Sequence, residues 1–496
     1  MWEHVLPALA SSFSISILLT ILIGTIAGII VGALPGLGTV LGLVMAIPFT
    51  IPMDGPMAIA LLLSIYVSSI YGGSIAAILI NVPGTPQSAA SVFDGYPMAQ
   101  RGDGALALGY ATIASFVGGI FSLVVLVFAA PMLARVSLEF GPIETFALLL
   151  FALMTVAWVS GKELLKGIIA ALIGIFLAMI GTDDMSGYSR FDFGNLFLSA
   201  GLTIIPLLIG FFAISEILFQ AGTLKDVGAP SVKGGGFKVA PWTEWRRRIG
   251  VLLRSCTIGS FIGVLPGTGA TAAVFVSYAD AKRRAPNPED FGKGEPSGLI
   301  ASESANNSVS GGAMVPMLSL GIPGDGSTAV MMGALTLHAV IPGVRLFKDQ
   351  PDLVTLIFVL LGIANIFMLV IGAFGANVFS RLLKLPITLL MPLVLLMSLV
   401  GTFAIRSNPI DLIVALVFGV IGLLARLNRF PPAPIIIGFV LGKQLEFTFR
   451  QGLVFTDGNV LGFFQSPIAA VLFGLTGLIV LNLLGLGKLV RRVLKK

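Results

Sequence analysis

The sequence Gly32-Ala-Leu-Pro-Gly-Leu-Gly-Thr39 returns in the second half of the chain as Gly263-Val-Leu-Pro-Gly-Thr-Gly-Ala270. A second pair of motifs follows in the same order, since Val82-Pro-Gly-Thr-Pro-Gln-Ser88 is echoed by Ile322-Pro-Gly-Asp-Gly-Ser-Thr328. A glycine pair precedes each second motif at nearly equal distance: Gly72-Gly73 and Gly311-Gly312. Ordered matches at similar spacing are typical of internal duplication. The sequence therefore predicts two structural repeats.

The composition is that of a chain surrounded by lipid. Of 496 residues, 56% are apolar and only 11% are charged, and the mean hydropathy is +1.00, far from the balance of a soluble domain. Apolar stretches of about 20 residues, the length with which an α-helix crosses a hydrocarbon core, recur at 14–31, 116–133 and 353–374. The sequence predicts an all-α polytopic membrane protein. The first stretch runs into the 32–39 motif without a cleavage site, so we expect it in the mature protein.

Few residues are suited to redox or metal chemistry. Cys256 is the only cysteine, which excludes an internal disulfide, and His4 and His338 are too scattered for a histidine-based metal site. The sequence has no Ser-His or His-Glu-x-x-His arrangement, so we expect no enzymatic activity. The net charge of +6 does not indicate nucleic acid as a partner, because the basic residues cluster in short segments between apolar stretches.

These basic clusters orient the chain, since cytoplasmic loops are rich in Lys and Arg. Three clusters are predicted to be cytoplasmic: Lys225, Lys233, Lys238 and Arg246 to Arg248; Lys282, Arg283, Arg284 and Lys293; and Lys488, Arg491, Arg492, Lys495 and Lys496. The segment between the first two is short and holds the second Leu-Pro-Gly motif, so it is predicted to be a re-entrant helical hairpin. Its counterpart at 15–49 is flanked by segments without Lys or Arg and is predicted to enter from outside. The two repeats are therefore expected to be inverted, each with one hairpin and one broken helix.

Further crossings are expected near 57–92, 105–131, 143–160, 164–181 and 199–221, and near 301–343, 353–379, 386–404, 409–425, 433–450 and 466–487. This gives about eleven crossings, with the N-terminus periplasmic and the C-terminus cytoplasmic. Arg101, Lys162, Arg381, Lys384, Arg426 and Arg429 then lie inside, and Asp183, Asp184 and Asp192 outside. Residues 1–224 form the first repeat, 225–250 a basic cytoplasmic linker and 251–496 the second repeat.

Polar residues accompany Gly and Pro where two apolar segments are broken. Backbone groups freed at membrane depth need protein, water or a ligand as partner, and a half-helix N-terminus with nearby hydroxyl and amide donors binds an anion without arginine. An isolated glycine such as Gly174 or Gly419 is explained by a kink or by close helix packing, but two such clusters favour one composite substrate site. Its predicted residues are Asn81, Pro83, Gly84, Thr85, Ser88, Asn306, Asn307, Ser308, Gly324, Ser327 and Thr328.

The paired Leu-Pro-Gly motifs are predicted to form the hairpin tips, with Pro35, Gly36, Gly38, Pro266, Gly267 and Gly269. Glycine there permits tight turning and close approach to a ligand, although a plain turn explains the same residues. Thr39, Thr268 and Thr271 are candidate donors. Asp94-Gly-Tyr-Pro-Met98 is predicted to mark the cytoplasmic end of a broken crossing, with Tyr96 as an interface anchor.

Asp325 and Glu303 are the candidate ion-coupling residues, because an ionisable group at membrane depth is costly and usually functional. A structural, hydrogen-bonded carboxyl is the alternative for Asp325, and a helix-capping role is the alternative for Glu303. Carbonyl groups at helix breaks ligate Na⁺ in secondary transporters. A Na⁺ near Asp325 and Asn307 is therefore one hypothesis and proton coupling is the other, and no further cofactor is expected.

Five motifs together resemble the TctA family, the large membrane subunit of tripartite tricarboxylate transporters: Gly32-Ala-Leu-Pro-Gly-Leu-Gly38, Asn81-Val-Pro-Gly-Thr-Pro86, Asp94-Gly-Tyr-Pro-Met-Ala99, Ala305-Asn-Asn-Ser308 and Leu320-Gly-Ile-Pro-Gly-Asp325. The resemblance spans nearly the whole chain. It implies import of carboxylates such as citrate across the bacterial inner membrane, with a small membrane subunit (TctB-like) and a periplasmic solute-binding protein (TctC-like). It also implies an ion gradient as the driving force, and the chain has no P-loop motif.

Inverted repeats with paired hairpins are also similar to transporters whose substrate-carrying domain slides past a fixed scaffold. We expect the hairpins and broken crossings to move, and the helices at 143–181 and 386–425 to form the scaffold and any homodimer contact. The rival class is an anion channel or a passive scaffold subunit, in which the Gly-Pro motifs line a pore or pack helices. Saturable, ion-dependent uptake separates these classes.

Overall fold

The computed structural model describes residues 2–159, 164–223, 236–267, 269–383 and 387–483. Within these residues the chain is almost entirely helical, in agreement with the predicted all-α fold. Some predictions lie outside the described residues, namely those on Lys162, Lys225, Lys233, Thr268, Lys384 and the basic tail from Lys488 onward.

The first half begins with a short 3₁₀ turn and a hairpin of helices. Its described helices are α1 (Val5–Ser12), α2 (Ile15–Ala33), α3 (Gly38–Thr50), α4 (Gly55–Ile80), α5 (Ser91–Gln100), α6 (Gly104–Ser137), α7 (Pro142–Val159), α8 (Leu164–Ala178), α9 (Leu196–Ser199), α10 (Ile204–Leu208) and α11 (Ser215–Thr223). A π-helical turn, Ile209–Ile214, joins α10 to α11. Two short antiparallel strands, β1 (Gly181–Thr182) and β2 (Ser189–Arg190), pair with Gly181 opposite Arg190.

The second half also begins with a hairpin of two helices followed by a long helix. It contains α12 (Trp242–Val264), α13 (Gly269–Arg284), α14 (Pro296–Leu320), α15 (Gly326–Leu337), α16 (Val344–Asp349), α17 (Pro351–Leu382), α18 (Ile387–Arg406), α19 (Pro409–Leu427), α20 (Pro432–Phe455) and α21 (Pro467–Leu483). Six helical segments among the described residues are long and apolar enough to cross a membrane: Ile15–Ala33, Gly55–Ile80, Gly104–Ser137, Ile204–Gly222, Pro351–Phe379 and Pro409–Leu427. The total of about eleven crossings stays a prediction.

Glycines at corresponding positions bring the hairpin helices close to the broken helices in both halves. A β-carbon added at Gly28 of α2 would lie 2.8 Å from the carbonyl oxygen of Ile65 on α4, and one at Gly259 of α12 would lie 2.4 Å from that of Ala305 on α14. Because only glycine permits such an approach, these residues set the distance between backbones. The hairpins α2–α3 and α12–α13 are thus packed in the same way, whereas their entry from opposite membrane faces stays a prediction.

The two broken helices form the centre of the protein. Every residue of α4 from Ala58 to Leu79 is buried, and so is every residue of α14 from Gly298 to Ser319. The helices contact each other where the Tyr66 hydroxyl donates to the Ser310 carbonyl oxygen at 3.4 Å. Helices buried all round show no amphipathic periodicity, so the core of this protein could not be recognised from a hydrophobic stripe.

Candidate functional site

Both hairpins turn through glycines in a backbone conformation that other residues rarely adopt. The φ angles are +87° at Gly36 and +69° at Gly38 in the first tip, and +77° at Gly267 and +67° at Gly269 in the second. Left-handed φ costs a residue with a β-carbon about 1 kcal/mol or more. The Leu-Pro-Gly-x-Gly pattern therefore follows from the turn itself, whatever else the tips contact.

The two helix breaks have corresponding ends as well. Helix α4 is followed by Asn81 as its C-cap, with φ +61°, and α14 is followed by Gly321 as its C-cap, with φ +69°. Beyond the first break, at the start of the 3₁₀ turn Pro86–Ala90, the Ser88 hydroxyl accepts from the Thr85 backbone N–H at 3.3 Å and donates to the Thr85 carbonyl oxygen at 2.8 Å. Beyond the second break, Asp325 caps α15, accepting from the Thr328 backbone N–H at 2.8 Å. Asp325 thus has a structural function as a helix N-cap.

The first tip, the first break and the start of α15 meet around a cavity of about 440 Å³. Its lining includes the tip from Gly36 to Leu41, the first break from Pro83 to Gln87, and Ser327 in the first turn of α15. Phe212, Glu216 and Arg426 complete the wall. The cavity therefore combines backbone and hydroxyl groups from the broken segments with one guanidinium and one carboxylate.

Arg426 and Glu216 form an ion pair on this wall. An Arg426 guanidinium nitrogen donates to Glu216 Oε2, and the guanidinium carbon lies 3.9 Å from the centre of the Phe219 ring. Glu216 Oε1 accepts from the Gln220 amide at 2.7 Å. The Gln220 side chain in turn lies against the first tip, because a β-carbon at Gly36 would be 1.9 Å from its amide nitrogen. The Arg426–Glu216 ion pair is thus connected to the first hairpin tip through the Gln220 side chain.

The second tip is closed onto its own break. The Gly267 backbone N–H donates to the Gly324 carbonyl oxygen at 2.6 Å, and a β-carbon at Gly267 would lie 2.4 Å from the Val156 Cα. In the first repeat, Gly84 instead donates to Gly73 at 3.2 Å. A β-carbon at Gly84 would lie 2.0 Å from the Gly32 carbonyl oxygen, so the first break also lies against its own hairpin, and the described cavity lies beside the first tip.

Part of the predicted substrate site lines this cavity. Pro83, Gly84, Thr85 and Ser327 do so, together with Gly36, Gly38 and Thr39 of the first tip. The remaining predicted residues are not in the lining: Asn81, Ser88, Asn306, Asn307, Ser308, Gly324, Thr328, Thr271, Pro35, Pro266, Gly267 and Gly269. Asn306, Asn307 and Ser308 lie in the middle of α14, which continues as a helix for three more turns before it breaks.

Glu303 does not cap a helix, because it lies two turns inside α14 and is fully buried. The Ser91 hydroxyl donates to its Oε1, and the Ser115 hydroxyl donates to its Oε2 at 3.1 Å. Asn306 and Asn307, one turn further along, are also fully buried, and both polar atoms of each amide lack a hydrogen-bond partner. This polar cluster is separate from the residues that line the cavity.

Asp94 has a role that sequence reasoning missed. Its Oδ1 accepts from the backbone N–H groups of Gly292 and Gly294, both at 2.8 Å, and of Glu295 at 2.9 Å. Its Oδ2 accepts from the Tyr278 hydroxyl at 2.9 Å. Asp94 therefore ties α5 to the loop before α14. The Gly-x-Gly spacing of that loop, Gly292 and Gly294, was the available signal for an anion-binding turn.

A larger cavity, about 620 Å³, lies near Leu320 and is lined by Ala339, residues 341 to 346, Asp349, Gln350 and Gln444. It contacts neither hairpin tip nor the first break. We assign the candidate site to the smaller cavity, since helix ends and donor groups converge there.

The fold and this cavity define a polytopic helical membrane protein with broken helices at a polar site. Residues 18–437 match the Tripartite tricarboxylate transporter TctA family, and the chain belongs to that family. In Agrobacterium vitis, an "Uncharacterized 52.8 kDa protein in TAR-I ttuC' 3'region" is 34% identical over 417 residues, which cover 84% of this chain and 82% of that protein. An "Uncharacterized protein in TAR-II ttuC' 3'region" from the same organism is 34% identical over 217 residues, 44% of this chain and 90% of that protein. No solved structure matches the chain.

Proposed function

We propose that this chain is the large membrane subunit of a binding-protein-dependent secondary transporter that imports tricarboxylates or related carboxylates, driven by an ion gradient. Membership of a family of tripartite transporters supports this proposal. Its partners are then a small membrane subunit and a periplasmic solute-binding protein, and its place is the bacterial inner membrane. The observation that carries the proposal is the cavity at the first tip, the first break and the start of α15.

The cavity suits an anion with several carboxylates. Ser327 lies at the N-terminus of α15, where backbone N–H groups and the helix dipole favour negative charge. Thr39 adds a hydroxyl group, and Arg426 adds the fork of donors that matches a carboxylate. The sequence predicted recognition by neutral donors alone, and Arg426 extends that proposal with one charged donor.

The composition of the wall also supports an elevator-type mechanism. The tip and the broken segments belong to the proposed moving domain, whereas Arg426 ends α19, which belongs to the proposed scaffold. A substrate bound in the cavity would contact both the proposed moving domain and the proposed scaffold. Asp325 and Glu303 remain the proposed ion-coupling residues, and Na⁺ or H⁺ the proposed coupling ion.

Uptake of radiolabelled citrate and other carboxylates tests this function, using proteoliposomes that contain this chain, its small subunit and the binding protein. Na⁺ and pH gradients are imposed separately. We expect saturable accumulation under one of them. Equilibration without accumulation under either gradient would contradict the proposal and favour a channel.

The variant Asp325→Asn tests the ion-coupling role of Asp325 without removing the cap of α15. Asparagine caps helices about as well as aspartate, and it can still accept from the Thr328 N–H. We expect gradient-driven accumulation to collapse while the melting temperature stays near that of the wild type. Wild-type accumulation in this variant would leave Asp325 as a structural cap only.

A further inference from the structure

Glu303 is a buried carboxylate without a cationic partner. It is fully buried in α14, and no Lys, Arg or His among the described residues acts on it. A charge removed from water requires a compensating charge or it does not stay ionised. An ionised Glu303 in this position therefore needs one positive charge beside it, which a bound monovalent cation supplies; the alternative is a protonated, neutral carboxyl.

The groups around Glu303 are oxygen atoms from three other elements. Ser91 on α5 and Ser115 on α6 donate to the carboxylate. Ser74 on α4 lies beside the same carboxylate, but its buried hydroxyl has no hydrogen bond of ordinary geometry. The cluster is therefore formed where α4, α5, α6 and α14 meet.

Two amides on the same helix have unused oxygen atoms. Asn307 follows Glu303 by four residues and Asn306 by three, spacings that place side chains on the same face of an α-helix. Both are fully buried, and their amide oxygens and nitrogens have no hydrogen-bond partner among the described residues. A buried polar group without a partner is rare in a folded protein and indicates a missing water or ion.

We propose that Glu303, Ser74, Ser91, Ser115 and Asn307 form a Na⁺ site. Hard cations bind oxygen ligands, and a single carboxylate with neutral hydroxyl and amide oxygens balances one charge. A divalent ion is a poorer match, since the described residues contain no group of three acidic, histidine or cysteine side chains suited to a metal. The site differs from the one predicted beside Asp325, because it lies within α14 and away from the break.

This proposal deepens the ion-driven function proposed above, but Na⁺ binding can be measured without transport. The chain is purified with its small subunit, and its melting temperature is followed while NaCl replaces choline chloride at constant ionic strength. A ligand that binds the folded state raises the melting temperature in a saturable way. We expect Na⁺ to do so in the wild type and to have no such effect in Glu303→Gln.

Ser115→Ala is the milder variant, in case Glu303→Gln does not fold. It removes one oxygen from the cluster, and we expect the half-saturating Na⁺ concentration to rise by about tenfold or more. Ser302→Ala is the matched control, because the Ser302 hydroxyl, next to Glu303 in sequence, donates to the Gly298 carbonyl of its own helix at 2.9 Å. Its Na⁺ dependence should equal that of the wild type.

Two results would overturn the site. One is a wild-type melting temperature that does not respond to Na⁺. The other is a response that persists unchanged in folded Glu303→Gln and Ser115→Ala. Carboxylate uptake is measured in parallel. Saturable Na⁺ binding that is lost in these variants supports the site, whatever the uptake result. If uptake is then independent of Na⁺, only the proposed coupling of transport to Na⁺ is wrong.

Discussion

The Arg426 guanidinium lies on the cavity wall with its side chain 40% exposed, paired with the less exposed Glu216. A substrate carboxylate that enters the cavity would compete with Glu216 for it. We predict that Arg426→Gln weakens the apparent carboxylate affinity by about tenfold or more, since a hydrogen bond to a charged group contributes about 1.5–3 kcal/mol. The concentration dependence of initial uptake measures this effect.

The companion variant Glu216→Gln should act in the opposite direction. It removes the competing carboxylate and keeps an amide that can still bond to Gln220, so apparent affinity should rise. Arg429→Gln is the matched control, because Arg429 is an exposed arginine three residues on that does not line the cavity. An affinity that is unchanged in Arg426→Gln would exclude Arg426 from substrate recognition.

Sequence reasoning reached the backbone of this site but not its charged side chain. Helix breaks are local, so Pro83, Gly84 and the tip glycines could be predicted from the residue types alone. The sequence predicted only that Arg426 lies on the cytoplasmic side. Loop charges indicate on which side of the membrane a residue lies, but not whether its side chain lines a cavity. Asn306 and Asn307 were grouped with the break because polar residues stand out in an apolar segment, whereas α14 continues through them.

At the scale of elements, the loop that carries β1 and β2 is joined to α20 by ion pairs. Asp183 Oδ2 accepts from the Ser186 hydroxyl at 2.6 Å and from Arg450 at 2.7 Å. Arg190 donates to both carboxylate oxygens of Glu446, at 2.7 and 3.0 Å. The hydropathy pattern predicted the flanking helices but gave no sign of this small sheet, because long-range ion pairs leave no periodic signal.

The hydrogen bonds from Ser186 and Arg450 hold the pKa of Asp183 well below its usual range. Because the pKa of Asp183 is lower in the folded protein than in the unfolded chain, where it is about 3.9, the ionised carboxylate stabilises the folded state at pH values above about 3.9. This stabilisation is lost as pH falls below that value. We predict that the melting temperature decreases as pH is lowered through about 4, and that Asp183→Asn reduces this decrease. Asp184→Asn, at the exposed neighbouring position, should retain it. Identical pH profiles for wild type and Asp183→Asn would contradict the prediction.

At the scale of the whole molecule, the halves match in contacts as well as in motifs. A β-carbon at Gly72 would lie 2.5 Å from the Ile29 carbonyl oxygen, and one at Gly312 would lie 2.6 Å from that of Ser260. The first half also packs on the second, since a β-carbon at Gly118 of α6 would lie 2.3 Å from the Ser304 carbonyl oxygen. The duplicated motifs therefore hold equivalent backbone contacts in the two halves.

Single-cysteine labelling can test whether the two halves have opposite orientations in the membrane. The ends of the two hairpins, near Asp54 and near Arg284, are exposed. If the repeats are inverted, Pro52→Cys reacts with a membrane-impermeant maleimide from the periplasmic side, and Arg283→Cys reacts only from the cytoplasmic side. Cys256 is fully buried, so the unchanged chain should provide an unlabelled background. Labelling of both positions from one side would exclude the inversion, and with it a mechanism in which the two tips close the site alternately from opposite faces.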